Sequence, residues 1–372
     1  MVGLCGISAH ASSSITIESS AQSSRMVPVV FEFGGKEVDN AISHLSKTKL
    51  FSARKGRCHD EELNSGQQVV CVKSVLGAKV AIDVPYSESF VFDVISAKQL
   101  ASEVYSRSLG KESTPFDVML AIVTKEHESD VYNLMITDFD GSNPRALLSS
   151  PMPILSPSWS PDGKYLSYVS YESYRSAIYV QDVHSGKRLK VFEVRGLNAY
   201  PRFKDSNTLL FSVSHEKTGS NIAQFDLITK QVSLVTSSEE HSDVYPVSAG
   251  EDVVFVRMFS DIPYLFQANP SGTITQLSRS PSNTPSANID GSKLVSAHGG
   301  IIYIWDMLNK KVEDKLNTHD RIESLSISAN SEAYYYVTER DENYSLVAYS
   351  KFDNKMFELK TNSSDIIQVS AF

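Results

Sequence analysis

Nine histidines, three cysteines and a recurring series of aspartates are the residues of this 372-residue chain whose side chains could carry chemistry. The histidines (His10, His44, His59, His127, His184, His215, His241, His298 and His319) are scattered, and none stands four residues from another. A helical zinc site of the HExxH kind needs that spacing. There is no GxSxG, no P-loop and no GxGxxG opening a helix, so local nucleophile and phosphate-cradle signatures are absent. The cysteines are Cys5, Cys58 and Cys71, with no CxxC among them. Cys58 and Cys71 could form a disulfide in an oxidising compartment, or stand as two unpaired thiols. These observations predict no catalytic residue, no cofactor and no metal.

The aspartates follow a period. Asp138, Asp182, Asp226, Asn269, Asp306 and Ser350 are spaced by 44, 44, 43, 37 and 44 residues. Each opens a turn between two runs of alternating apolar residues, as in YVQDVHSGKRLKVF (179–192). A short polar side chain there accepts backbone N–H bonds two or three residues on. Turn chemistry accounts for these positions without a metal. A period of 40–45 residues is the spacing of propeller blades.

A second element recurs about 20 residues after each hairpin, starting with SPSWSPDGKYLSYVS (156–170). The position of Pro157 recurs as Pro201, Pro246 and Pro285, and that of Trp159 as Phe203, Ser248, Ala287, Ile327 and Val369. The latter series reads as a packing site between blades. The hairpin at 118–148 lacks an inner strand before it, and SDIIQVSAF (364–372) is an inner strand without a hairpin after it. Joining the two closes a ring and removes the free sheet edge. The expectation is mainly β: a six-bladed β-propeller over residues 116–372.

Residues 12–115 lack the period and predict a small N-terminal α/β domain. SITIESS (14–20), MVPVVFEF (26–33), QQVVCVKSV, AKVAIDV and SFVFDV read as strands. EVDNAISHLSKTKL (37–50) reads as an amphipathic helix with Val38, Ile42, Leu45 and Leu50 on one face. AKQLASEVYSRSL (97–109) reads as a second helix, with Leu100, Val104 and Leu109 aligned and Gly110 as its stop. Ser12 to Ser24 is Ser-rich and expected to be mobile. Ala9-His10-Ala11 fits the small-x-small pattern of a signal-peptide cut, although the first basic residue is Arg25; residues 1–11 therefore read as a truncated signal peptide. The net charge of −9 and the absence of basic clusters argue against nucleic acid. No run approaches the ~20 apolar residues of a membrane helix.

With catalysis unsupported, the loops entering the inner strands become the candidate binding surface. They carry Leu197, Asn198, Tyr200, His241, Asp243, Val244, Tyr245, Asn283, Asp320 and Arg321. Tyr and Arg are frequent interface anchors.

The stretch SPSWSPDGKYLSYVSYESYRSAIYVQDVHSGK (156–187) closely resembles the TolB family of the Tol–Pal system. SITIESSAQSSRMVPVVFEF (14–33) is similar to the start of mature TolB, and SEVYSRSLGKESTPFDVMLAIVT (102–124) to the passage from its last α/β helix into the first blade. The chain departs from the family in having little between Lys55 and Gln67, and in keeping WSPDG intact once. The resemblance implies a periplasmic protein that binds the lipoprotein Pal at the propeller mouth and TolA through its mature N-terminus. It would support outer-membrane integrity and cell division, with other outer-membrane proteins as further partners. Carried over by position, the Pal-facing residues are Leu197, Asn198, Ala199 and Tyr200, then Asp243, Val244 and Tyr245, and then Asn283, Thr284 and Arg321. The TolA-facing residues are Ser12, Ser13, Ser14, Ile15, Thr16, Ile17 and Glu18. The competing readings are a propeller enzyme, such as a prolyl-oligopeptidase gating domain, and a metal-dependent lactonase-like hydrolase with a central cation.

Overall fold

The computed structural model describes residues 26–372 apart from 49, 60–68, 76–78, 88, 95, 111–113, 216–218, 341–342, 352–354 and 360–363. The candidate leader 1–11 and the TolA-facing residues 12–18 lie outside the described residues. Contacts divide the chain into two compact units, Met1–Ala97 and Lys98–Phe372.

In the first unit a five-stranded mixed sheet forms around Val27–Phe31. Phe51–Lys55 and Val70–Ser74 flank it in parallel, and Lys79–Asp83 and Phe90–Asp93 follow antiparallel. Val29, Val30 and Phe31 are buried, as a strand covered on both faces requires. The strand Phe51–Lys55 was not anticipated, because only Phe51 in it is buried and no alternation marks it. The first helix, α1 (Lys36–Lys47), buries Val38, Ala41, His44 and Leu45. It ends before Leu50, because Thr48 turns the chain: its Oγ1 and N–H both donate to the carbonyl of Leu45.

The sulfurs of Cys58 and Cys71 are bonded, with Cα atoms 5.8 Å apart, in a cluster with Val30 and Val69. The bridge closes a loop with a sequence separation of 13. Chain-entropy reasoning gives such a loop about 3 kcal/mol of stabilisation. Reduction, or Cys58→Ala, is therefore expected to lower the denaturant midpoint of this unit and leave that of the propeller unchanged. An unaltered midpoint for both units would refute it.

The second unit opens with helix α2 (Ala97–Leu109), most of which falls in this unit. It buries Leu100, Ala101, Val104 and Tyr105 and stops at Gly110, which has φ 63°. Tyr105 meets Phe116 edge-on at 5.5 Å, and Phe116 meets Phe139 at 5.1 Å. Six four-stranded antiparallel sheets follow, forming the blades. Their inner strands are Ser364–Ala371 for blade 1, Ile154–Trp159 for blade 2, Asn198–Phe203 for blade 3, Ser242–Ala249 for blade 4, Asn283–Ala287 for blade 5 and Arg321–Ile327 for blade 6. Blade 1 is closed as expected: the C-terminal strand pairs antiparallel with Met119–Glu126.

Apolar clusters fill the spaces between neighbouring blades. Phe211 and Phe225 of blade 3 pack with Val169 and Ile178 of blade 2, and Tyr334 and Tyr336 of blade 6 with Val295 and Ile304 of blade 5. Trp159 is buried among Ala121, Ile136, Leu166 and Val183, so it is core, as expected. The turn aspartates behave as capping groups. Asp182 Oδ1 accepts from the N–H groups of His184 and Ser185, and Asp226 Oδ1 from those of Ile228 and Thr229. These bonds hold both carboxyls below the usual carboxylate range.

Candidate functional site

Every inner strand carries an irregularity at the same place. Pairing skips between Ser158 and Leu155, Ala199 and Arg202, Val244 and Val247, Asn283 and Ser286, Ile322 and Ser324, and Ile366 and Gln368. A bulge of this kind re-aims side chains next to functional sites. In blades 2 to 5 the bulge holds the recurring proline and the residue before it. That residue has a left-handed backbone: Ser156 φ 55°, Tyr200 φ 54°, Tyr245 φ 53° and Thr284 φ 45°. Bulky side chains seldom adopt this conformation, and residues held in it cluster at functional sites.

The bulges bring Ser156, Tyr200, Tyr245, Thr284, Glu323 and Gln368, one from each blade, around a single cavity of about 50 Å³. Tyr200 and Tyr245 lie against each other with ring centroids 3.9 Å apart and ring planes tilted by 34°. Burial, and then the neighbouring Tyr200, push the Tyr245 hydroxyl well above the usual tyrosine range. Arg202 lines this cavity and also a second one of about 110 Å³ that reaches Trp159, Ser286 and Phe372. Its guanidinium donates to the carbonyl of Pro157 at 2.9 Å. Burial lowers its pKa to about 10, against the opposing pull of Tyr245, so the group stays cationic at neutral pH. Asn283, Thr284 and Arg321 share a third, wider cavity of about 310 Å³ with His298, His319 and Asp320.

The predicted site residues thus fall into two groups. Tyr200, Tyr245, Thr284, Asn283 and Arg321 converge on the two mouth cavities, from within the inner strands and not from loops as expected; Val244 is half-buried in the same strand as Tyr245, and Leu197 half-buried just before Asn198. Asn198, Ala199 and Asp243 are buried. The Asn198 amide donates to the carbonyls of Ser176 and Val194, and Asp243 forms a two-point ion pair with Arg257 at 2.7 and 2.8 Å. Ser156, Arg202, Glu323 and Gln368 were missed. The signal for the first was present in the residue before each recurring proline. Among the described residues lining the two axial cavities the one acid is Glu323, and Arg321 pairs with it at 2.6 Å. Among the described residues, the one group of three metal-ligating side chains is Glu32 with Cys58 and Cys71, and there the disulfide occupies both sulfurs. No described helix is long and apolar enough to cross a membrane.

Comparison with known proteins agrees with this architecture. The Tol-Pal system protein TolB of Coxiella burnetii is 40% identical over 119 residues, covering 30% of this chain and 27% of that protein. The protein of the same name from Hahella chejuensis is 46% identical over 102 residues, covering 27% of this chain and 24% of that protein. The chain thus matches about a quarter of the length of these relatives. The crystal structure of TolB from Acinetobacter baumannii superposes with a TM-score of 0.78 over 93% of this chain and 96% of that one, at 22% identity, and so shares its fold. The family model for the TolB β-propeller domain matches residues 106–369, from just before the first blade into the closing strand, and the chain belongs to the TolB β-propeller family.

Proposed function

We propose that this chain is a non-enzymatic, periplasmic binding component of a Tol–Pal system. It engages the lipoprotein Pal at the propeller mouth and TolA through residues 12–18, and so supports outer-membrane integrity and division. The observation that carries this reading is the close, left-handed pair Tyr200–Tyr245 at the mouth, together with family membership. Rigid aromatic anchors at the centre of a surface supply most of an interface's energy. Their backbone is held by bulge and proline, so little ordering entropy remains to be lost on binding. Val244, Asn283, Thr284 and Arg321 complete the contact rim. Asn198, Ala199 and Asp243 hold the inner strands from beneath, with Leu197 at the edge. The N-terminal segment is a switch: Pal binding biases whether it packs on the body or is free for TolA.

Calorimetric titration with the soluble domain of Pal tests the mouth. Tyr200→Ala and Tyr245→Ala are each expected to weaken binding by about 1–2 kcal/mol or more. Deletion of residues 12–18 should abolish TolA binding and spare Pal. Unchanged Pal affinity in both tyrosine variants would move the interface elsewhere, and loss of both partners on deletion would end the switch.

A further inference from the structure

The axial cavities carry a charge imbalance that the partner reading does not use. Arg202 enters from blade 3, and its one hydrogen-bond acceptor among the described residues is the carbonyl of Pro157. A guanidinium has five N–H donors, and no described carboxylate lies within ion-pairing distance of it. Glu323 borders the same cavity; Arg321 lies 2.6 Å from its Oε1 as a charge partner, while that oxygen accepts no hydrogen bond. A second donor is idle there: the buried Thr284 Oγ1 has no hydrogen-bond partner. Arg202 is half-buried, a charge drawn partly out of water is costly unless it is paired, and desolvation already disfavours its charged form.

We propose that the propeller axis binds a small carboxylate anion, of formate or acetate size, between the guanidinium of Arg202 and the hydroxyl of Thr284. A guanidinium fork matches a carboxylate in geometry and charge. The cavity of about 50 Å³ has room for an anion of a few heavy atoms, since about 10–15 Å³ of such space is enough for one water. Both donors stand beside Tyr200 and Tyr245 in the same cavity wall, so the anion fills the floor of the mouth. The inference does not rest on Pal or TolA and is tested on the chain alone.

The probe is ¹³C-formate, followed by NMR line broadening and by thermal unfolding, against chloride at equal ionic strength. Saturable binding and a formate-specific rise in melting temperature are expected for the full chain. Arg202→Met should weaken formate binding roughly tenfold or more, the effect of losing charge-assisted bonds. It should also keep the wild-type melting temperature, or exceed it, in anion-free buffer, because it removes a half-buried charge that no carboxylate pairs with. Thr284→Val should weaken formate binding more modestly and leave the fold intact, which keeps the test open should Arg202→Met fail to fold. No formate effect beyond that of chloride in the full chain, or equal formate binding in the Thr284 and Arg202 variants, would overturn the proposal.

Discussion

Removing residues 364–372 is expected to abolish the cooperative unfolding transition of the propeller. The strand Ser364–Ala371 is the inner strand of blade 1, paired along Met119–Glu126. It also ties blade 1 to both neighbours. Towards blade 6, Val369 N–H donates to Ser324 Oγ at 3.2 Å and Ala371 N–H to Ser326 Oγ at 2.9 Å. Towards blade 2, Trp159 Nε1 donates to the carbonyl of Ser370 at 3.2 Å, and the Trp159 ring meets Phe372 at 5.7 Å. Ile366 and Val369 are 4% and 1% exposed, and each buried aliphatic side chain contributes about 1.5–3 kcal/mol. With the inter-blade bonds and the exposed edge added, the loss is of order 5 kcal/mol or more, comparable with the whole stability of an ordinary domain. The chain has two tryptophans, Trp159 and Trp305, both buried. The truncated chain should show red-shifted emission and a broad, non-cooperative urea profile. An unchanged midpoint would mean that the blades are held by their side packing and not by ring closure.

Ring closure was legible because strand count is arithmetic: an orphan hairpin at the start of the repeat and an orphan strand at the end have one pairing that leaves no edge. The blade period was legible because turn chemistry tolerates few residue types. Even the degenerate turns kept that chemistry. Where WSPDG has Ser160 and Asp162, blade 6 has Ser328 donating to Asn330 Oδ1 at 2.7 Å, with Ser331 at φ 63°. Blade 5 has Asp290 accepting from Ser292 N–H at 2.8 Å, with Gly291 at φ 70°. The letters differ while the hydrogen-bonding function stays the same.

The site was legible only in part, because its members are set by tertiary register. Tyr200, Tyr245 and Thr284 could be picked out as loop residues leading into strands. Arg202 could not. It stands within the inner strand Asn198–Phe203, where a cation reads as an outward, solvated position; the bulge between Ala199 and Arg202 turns it to the axis. In the front unit the same limit applies to Phe51–Lys55, an edge strand with one buried side chain, whose sequence holds almost no pattern to read. The helical face of α1 was misjudged at Leu50, since a local hydroxyl cap at Thr48 ends the helix before the apolar period does.

Asp243 is the residue whose reading changes most with register, and it carries the second large effect. The sequence offers it as an exposed loop acid. In the structure it is 0% exposed and directly opposite Arg257 in the strand ladder, with two bonds to its guanidinium. Arg257 in turn lies over the rings of Phe255 and Phe266 at 5.5 and 5.1 Å. Asp243→Ala would leave that guanidinium buried and unpaired, so a loss of about 3–5 kcal/mol is expected, read as a fall in the denaturant midpoint. The double variant Asp243→Leu with Arg257→Met removes both charges and should recover most of that loss, because replacing a buried pair by apolar groups is often neutral. A loss under about 1 kcal/mol in Asp243→Ala would show that water reaches the pair and that the ladder does not depend on it. The double variant also separates two roles. Val244 and Tyr245 follow Asp243 directly in the bulged strand, so the ion pair anchors the segment that carries Tyr245. A double variant as stable as the parent but weaker towards a partner at the mouth would assign the pair to positioning the tyrosine. One that is equally stable and equally tight would leave it a matter of folding alone.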